Sequence, residues 1–290
     1  MRRHRTTAVF LALACLPAAA LATTASARDG GGTVPRLVFP LVAKTVLWDN
    51  YGDPRPNGRH AGIDMENPWR APVVAVEDGT VKYWESGLGG CMLYLYGSSG
   101  TTYMYIHLNN DLTAKNDNRG GCLKDVSFAV PNGTKVTAGQ QIAWNGDSGD
   151  ANGNPHLHFE VHPNDGVDVD PFRYLKRAVK PLFAARTGSV FSLALHARLV
   201  AAGAGAATLE VDRVRKYPGG RWLDVDAREV ELTVPLGTDV DPFAQLASAT
   251  LRPLKKPAKV TAYTVKANAT QQAIVGSPGE LLLGRVVPTP

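Results

Sequence analysis

The sequence predicts a mainly β protein built as two consecutive domains. Short runs that alternate apolar and polar residues recur along the chain, and Gly and Pro separate them, as is typical of strands joined by turns. Strong helical periodicity is missing. The 290 residues exceed the usual size of one domain and suit two, while 44% hydrophobic and 20% charged residues are typical of a globular protein.

The amino terminus predicts an export signal. Three arginines precede an apolar run over residues 8–22, and Ala-Ser-Ala at residues 25–27 forms a small-x-small cleavage site. We therefore expect residues 1–27 to be a signal peptide and residues 28–36 a flexible leader. The apolar run is too short for a membrane span, and we expect no transmembrane span after signal cleavage. The predicted location is secreted or in the envelope of a bacterium.

The charge balance argues against a polyanionic partner. The signal contributes three arginines and no acidic residue, so its removal lowers the formal net charge from +5 to +2. We expect no nucleic-acid partner from this balance and this compartment. Cys91 and Cys122 are the cysteines left after cleavage, and an oxidising exterior predicts a disulfide between them. Free thiols or metal ligands are the alternative, although no CxxC spacing is present.

The first predicted domain spans residues 37–178 and is β-rich throughout. We expect a strand and loop over residues 37–48 and a loop over residues 50–59 that delivers His60 into a short strand containing Asp64. A hairpin through Asp78-Gly79 is predicted to join two strands. The predicted strands are Pro72–Val76, Thr80–Trp84, Cys91–Tyr96 and Thr101–Leu108, with two more within Lys135–Trp144. Residues 109–121 are a polar surface insertion, and residues 173–179 suit one or two helical turns.

Two strand patterns place histidines on defined faces. In residues 101–108, His107 shares a face with Tyr103 and Tyr105, so we expect it to end the strand on its more polar face. A cross-strand aromatic ladder that ends in a histidine is the structural alternative. His156 and His158 point the same way along a strand, while the residues between and after them point into a core. Two half-buried polar histidines would show the same pattern without any metal.

The polar residues of this domain suit a catalytic zinc site. Such a site needs three protein ligands and one open position, and two neutral imidazoles with one carboxylate meet that need. The candidates are His60, Asp64, His107, His156 and His158. Histidines that do not bind the metal can move protons, because imidazole titrates near neutral pH.

Three motifs resemble the LytM/lysostaphin-type zinc endopeptidases, the M23 peptidase family. They are His60-Ala61-Gly62-Ile63-Asp64, Tyr105-Ile106-His107-Leu108 and Pro155-His156-Leu157-His158-Phe159-Glu160, in the family's order and approximate spacing. The resemblance runs from about Phe39 to Phe172. It implies a compact antiparallel β domain with one Zn²⁺ in a groove, held by His60, Asp64 and His158. It also implies that His107 and His156 are the catalytic histidines.

The resemblance further implies hydrolysis of peptide bonds in bacterial cell-wall peptidoglycan. We expect stem-peptide cross-links, rather than interpeptide bridges, as the substrate. The alternative is a non-catalytic LytM-like envelope protein that binds peptidoglycan or activates another wall hydrolase. The long connection over residues 109–130, the two cysteines and the loop over residues 146–154 depart from the family pattern.

The remainder predicts a linker over residues 179–188 and a small all-β domain over residues 189–290. An oligonucleotide/oligosaccharide-binding-type barrel is one candidate architecture for this domain. Its predicted strands are Phe191–Leu199, Thr208–Val214, Val230–Val234 and Val260–Val265. His196 has no neighbouring cluster of potential ligands in the sequence, so a surface or hydrogen-bonded role is expected. A wall polymer or a protein partner are the candidate ligands of this domain.

Overall fold

The computed structural model describes residues 33–56, 58–185, 188–238, 243–268 and 281–289. The predicted signal peptide, most of the predicted leader and two residues of the predicted linker lie outside the described residues. Within these ranges no helix is both long and apolar enough to cross a membrane. The predicted domain boundaries stay predictions.

Short strands form most of the first half of the chain. They are β1 (Pro54–Arg55), β2 (Gly58–Arg59), β3 (Ile63–Glu66), β4 (Pro72–Val74), β5 (Gly79–Ser86), β6 (Gly90–Gly97), β7 (Thr102–Leu108), β8 (Lys135–Val136), β9 (Gln141–Trp144) and β10 (His156–His162). Six of them make one antiparallel sheet in the order β3-β10-β7-β6-β5-β8. A single helical turn, α1 (Phe172–Leu175), follows at the predicted place.

The central sheet has one buried face and one face that carries the polar residues. Along β10, Leu157, Phe159 and Val161 are fully buried, and His158 and Glu160 alternate with them on the other face. Tyr103 of β7 stacks on the ring of Phe159 within the same core. The two-residue periodicity of strands therefore predicts β10 correctly.

Two predicted elements of this half are wrong. β4 pairs with β9 in a separate two-stranded sheet, so no hairpin joins β4 to β5 through Asp78. The Asp78 side chain instead accepts a hydrogen bond from the backbone N–H of Ala138 at 2.8 Å. Residues 37–48 form isolated bridges at Val38, Leu41 and Val46 rather than a strand. In both places long-range pairing overrides a local signal.

The second half forms a separate antiparallel sheet with its own core. Its strands are β11 (Val190–Gly203), β12 (Ala206–Tyr217), β13 (Leu223–Thr233), β14 (Arg252–Thr264), β15 (Ala267–Asn268) and β16 (Leu283–Pro288). The order is β13-β12-β11-β14-β16, with β15 paired to β11. Among the described residues the two edges meet only at an isolated bridge between Thr233 and Leu282. The sheet is therefore open, and the predicted barrel is wrong.

Cys91 of β6 is bonded to Cys122, as the cysteine count predicts. The bond ties the polar insertion after β7 to the centre of the main sheet, across 31 positions of the chain. It restricts the unfolded chain more than the folded one.

We expect the Cys91→Ala/Cys122→Ala variant to lose roughly 3–4 kcal/mol of the free energy of unfolding, the loop-closure value for a loop of this length. Urea unfolding of the variant and of the oxidised wild type measures the difference. Reduced wild type is the matched control and should unfold like the variant. Equal stability of all three forms would contradict the expectation.

Candidate metal centre and active-site cleft

Three side chains converge at the edge of the main sheet. His60 lies in the loop before β3, Asp64 lies on β3, and His158 lies opposite Asp64 on β10. Asp64 Oδ1 is 3.0 Å from His60 Nε2 and 2.8 Å from His158 Nδ1, and the two nitrogens are 2.9 Å apart. The structure thus brings together the three residues that the sequence predicts as metal ligands.

Gly62 makes this convergence possible. A Cβ atom at this position would lie 2.5 Å from the carbonyl oxygen of Phe159 and 2.8 Å from His158 Nε2. Real Cβ atoms do not come that close to backbone, so any larger residue would push β3 away from β10. The glycine of the His-Ala-Gly-Ile-Asp motif therefore allows β3 and β10 to pack closely behind the donor atoms.

Hydrogen bonds fix which nitrogen each ligand histidine offers. His60 Nδ1 lies 2.7 Å from the carbonyl oxygen of Asn50, which can only accept, so this nitrogen carries the proton. His158 Nε2 lies 2.9 Å from Glu160 Oε1 and donates to it in the same way. In the neutral rings His60 Nε2 and His158 Nδ1 are therefore lone-pair donors that face Asp64.

The donor set fits a zinc ion. Two imidazole nitrogens and one carboxylate oxygen are the ligands of a catalytic zinc site with an open position. His60, Asp64 and His158 each offer an atom within 4.8 Å of the others. The separations of about 3 Å are a few tenths below the roughly 3.3 Å that tetrahedral zinc imposes on its ligands.

Arg55 from the β1–β2 hairpin contacts the other oxygen of Asp64. Its guanidinium donates to Asp64 Oδ2 at 2.6 Å, so Oδ1 alone faces the two histidines. Arg55 is not among the site residues predicted from the sequence. The available signal was an arginine in the turn-rich loop that leads to His60.

His107 faces the same cleft, although it does not lie on the strand face that the sequence predicts. Two residues of β7, Ile106 and His107, lie opposite one residue of β6, which is a β-bulge, and His107 has a left-handed φ of 63°. Tyr105 and Leu108 on either side of the bulge are both fully buried in the core. The predicted face shared with the tyrosines is therefore wrong, because the bulge turns the His107 side chain toward the cleft.

His107 and His156 form the second half of the site. Their ring centroids are 4.8 Å apart. His107 Nδ1 donates to the carbonyl oxygen of Ser148 at 2.9 Å, and His156 Nδ1 donates to that of Asn154 at 2.8 Å. When the rings are neutral, each therefore presents an unprotonated Nε2, and that of His156 lies 3.6 Å from Asp64 Oδ1.

Ser148 holds the β-bulge at His107 in place. This serine is not among the site residues predicted from the sequence. Its hydroxyl donates to the carbonyl oxygen of Leu108 at 2.6 Å and accepts from the backbone N–H of Cys91 at 2.9 Å. The loop over residues 146–154 is thereby anchored to β6 and β7. Nothing in the local sequence distinguishes this serine from its polar neighbours.

Burial and hydrogen bonding shift the pKa values of this site in opposite directions. Burial alone would raise the pKa of Asp64, but hydrogen bonds with His158 and His60 outweigh it and hold that pKa well below its usual range. Burial disfavours the charged form of His158, yet bonding to Asp64 and Glu160 raises its pKa to about 9. Burial and then the neighbouring His156 lower the pKa of His107 to about 4. His107 is therefore neutral at neutral pH.

We expect the metal-free protein to lose stability as the pH rises from about 6.5 to about 9. The folded state holds a proton on His158 that the unfolded state releases near the ordinary pKa of 6.5, so this contribution is complete below that pH and lost above the raised pKa. It is on the order of 3 kcal/mol, because the pKa rises from 6.5 to about 9 and each pKa unit corresponds to about 1.4 kcal/mol.

Urea unfolding of chelator-treated protein across this pH range measures the effect. The His158→Asn variant is the matched control, because its free energy of unfolding should change less with pH. An equally steep pH dependence in the variant would contradict the assignment to His158. Added zinc should stabilise the wild type more at the upper end of the range, because it competes with that proton.

The donor atoms and the two further histidines open into one cleft. Its lining includes apolar side chains, of which Trp48 and Leu88 are exposed and Met92 and Ile106 are buried in the floor. His196, by contrast, lies in the second sheet, with Nδ1 2.5 Å from Asp212 Oδ1. The prediction that His196 is hydrogen-bonded and outside the site is confirmed.

Comparison with known proteins supports the resemblance seen in the motifs. Residues 121–171 match the model of peptidase family M23, a segment that contains His156 and His158. The chain is 33% identical over 114 residues to an uncharacterized metalloprotease of Haemophilus influenzae, covering 39% of this chain and 20% of that protein. It is 31% identical over 127 residues to glycyl-glycine endopeptidase ALE-1 of Staphylococcus capitis, covering 42% and 30%.

A third relative is a lipoprotein NlpD/LppB homolog of Pseudomonas aeruginosa, 34% identical over 116 residues, which cover 40% of this chain and 33% of that protein. The chain thus spans only a fifth to a third of the length of these relatives. Among solved structures, the catalytic domain of lysostaphin from Staphylococcus simulans is 27% identical, covering 46% of this chain and 92% of that one, with a TM-score of 0.36.

Proposed function

Because residues 121–171 match peptidase family M23, we propose that the chain is a secreted zinc-dependent endopeptidase of bacterial cell-wall peptidoglycan. One observation carries this proposal. His60 Nε2, Asp64 Oδ1 and His158 Nδ1 converge, and two further histidines, held through Nδ1 by backbone carbonyls, line the same cleft.

His60, Asp64 and His158 would hold the zinc ion. When bound, zinc supplies Lewis-acid chemistry, which polarises a carbonyl and makes a coordinated water more acidic near neutral pH. Arg55 keeps the second oxygen of Asp64 engaged, so the carboxylate presents Oδ1 to the metal position.

The two remaining histidines, His107 and His156, take part in proton transfer. His107 is neutral because its pKa is lowered to about 4, and its Nε2 is the atom that takes a proton from the attacking water. Ser148 orients the ring through Nδ1. His156 Nε2 is directed toward Asp64, where it can accept a hydrogen bond from the same water. The proton that His107 takes from the water can then pass to the leaving amine.

The cleft favours stem-peptide cross-links over glycine bridges as the substrate. Trp48, Leu88, Met92 and Ile106 offer apolar surface beside the donor atoms. Such surface contributes to binding only when the substrate has side chains to bury, and a glycine bridge has none. The Staphylococcus capitis relative is named for glycyl-glycine cleavage, so the choice of bond needs a direct test.

The test is digestion of two purified muropeptide substrates, one joined by direct stem cross-links and the other through glycine bridges. We expect new amino termini, identified by mass, within the stem cross-link. Cleavage confined to the glycine bridge would refute the assignment of the substrate but would support the proposed endopeptidase activity. If neither substrate shows a new amino terminus, the proposed endopeptidase activity is refuted.

A non-catalytic envelope protein is the second candidate. The similarity to a protein named a lipoprotein homolog favours it. In that case the protein would bind intact peptidoglycan in a sedimentation assay without releasing fragments, or would stimulate another wall hydrolase added to the same assay.

A further inference from the structure

A chain of hydrogen bonds extends from the metal-binding face along the outer face of β10. His158, Glu160 and His162 alternate along the strand, so their side chains point the same way. Glu160 Oε1 lies 2.9 Å from His158 Nε2, and Glu160 Oε2 lies 2.6 Å from His162 Nε2. The side chains of all three are only 12–14% exposed.

The hydrogen bonds of His162, at the outer end of this hydrogen-bonded series, define its charge. Its Nδ1 lies 2.9 Å from the carbonyl oxygen of Gly166, and its Nε2 faces the Glu160 carboxylate. Both partners accept only, so both ring nitrogens donate and His162 is an imidazolium. A largely buried carboxylate is costly without such a partner. His162 therefore balances the charge of Glu160 and holds one of its oxygens.

The hydrogen bond between Glu160 and His158 defines the orientation of the His158 ring. Glu160 Oε1 accepts the Nε2 proton of His158, which directs Nδ1 at Asp64 and His60, where its lone pair can bind a metal that displaces the second proton. A half-turn of the ring would lose both contacts. Carboxylate partners of this kind commonly fix the tautomer of a metal-binding histidine and increase its basicity.

We propose that Glu160 and His162 are positioning residues of the metal centre, with Glu160 orienting His158 and His162 acting only through Glu160. This inference rests on the proposed function, because it takes His60, Asp64 and His158 as zinc ligands. It concerns metal affinity and not the hydrolytic step. The sequence motif ends at Glu160 and gives no role to His162.

Zinc affinity of the whole protein, measured by competition with a chromophoric chelator, tests the inference. We expect Glu160→Ala to weaken zinc binding by roughly 10- to 100-fold, the usual effect of losing such a partner. Glu160→Gln should weaken it less, because an amide oxygen still accepts from His158. His162→Ala should also weaken binding, and the double variant with Glu160→Ala should bind like Glu160→Ala alone.

Two further measurements separate positioning from a general loss of folding. Asp212→Ala breaks the similar carboxylate–histidine pair at His196 in the second sheet and should leave zinc affinity unchanged. The Co²⁺-substituted Glu160→Gln protein should show an altered visible absorption spectrum, which reports ligand geometry directly. Far-ultraviolet circular dichroism checks that each variant is folded.

Wild-type zinc affinity in folded Glu160→Ala would overturn the inference and leave the proposed function intact. Additive losses in the double variant would overturn the claim that His162 acts through Glu160. A wild-type protein that binds neither Zn²⁺ nor Co²⁺ would instead overturn the metal centre and the proposed function with it.

Discussion

Replacement of His158 by alanine should abolish zinc binding and reduce peptidoglycan hydrolysis to background. His158 supplies one of three donor atoms and also accounts for two of the hydrogen bonds that organise Asp64 and Glu160. Metal catalysis contributes several kcal/mol of transition-state stabilisation, so the loss in rate should be at least about 10³-fold. Metal content and release of soluble fragments from purified peptidoglycan are the two measurements.

The matched control for this variant is His196→Ala. It removes a histidine paired to a carboxylate, but in the second sheet and away from the cleft. It should keep both zinc and activity. Full wall hydrolysis by a metal-free His158→Ala protein would contradict the account.

Replacement of His107 by alanine should lower hydrolysis by about 10²- to 10⁴-fold while zinc content stays at the wild-type level. None of the hydrogen bonds of His107 reaches His60, Asp64 or His158, so its loss spares the metal site. Because its pKa is lowered to about 4, His107 stays neutral over the whole neutral range and keeps a ring nitrogen that can accept a proton.

Turnover and zinc content measured on the same His107→Ala sample separate the two roles. His107→Gln is a useful companion variant, because glutamine retains polarity but cannot accept and return a proton as imidazole does. Wild-type turnover in either variant would remove His107 from the mechanism. Loss of zinc in either would mean that His107 belongs to the metal site instead.

The sequence predicts the parts of this fold that depend on local periodicity. The alternation around Leu157 and Phe159 places His156 and His158 on the cleft side of a strand, and the structure agrees. The loop-to-strand transition at His60 and Asp64 is also predicted, because Gly62 and the turn-rich loop argue against a helix. The pairing of Cys91 with Cys122 follows from the cysteine count and is confirmed.

Features that depend on distant partners are not predictable in this way. A bulge changes which face His107 occupies, and its cause is pairing of β7 with β6 and anchoring by Ser148. The Asp78-Gly79 dipeptide is a good hairpin signal, yet β4 pairs with β9 instead. Likewise the strands of the second sheet suit a barrel, but within the described ranges only one bridge joins its edges.

Residues that orient the ligands are equally hard to find from sequence. Arg55 precedes Asp64 by nine positions and bonds to it only because the β1–β2 hairpin folds over the cleft. Glu160 and His162 follow His158 at two-residue spacing, so strand periodicity could have placed them on the same face. Their hydrogen-bonded order, and the backbone acceptor at Gly166, require the folded chain.

The most direct test of the central claim is zinc content and peptidoglycan cleavage measured on one sample of purified protein, with and without a chelator. We expect about one zinc per chain and new amino termini that stop forming on chelation and form again when zinc is added back. Cleavage that continues after all metal is removed would contradict the zinc mechanism. Bound zinc with no cleavage of any peptidoglycan would instead support the non-catalytic envelope protein.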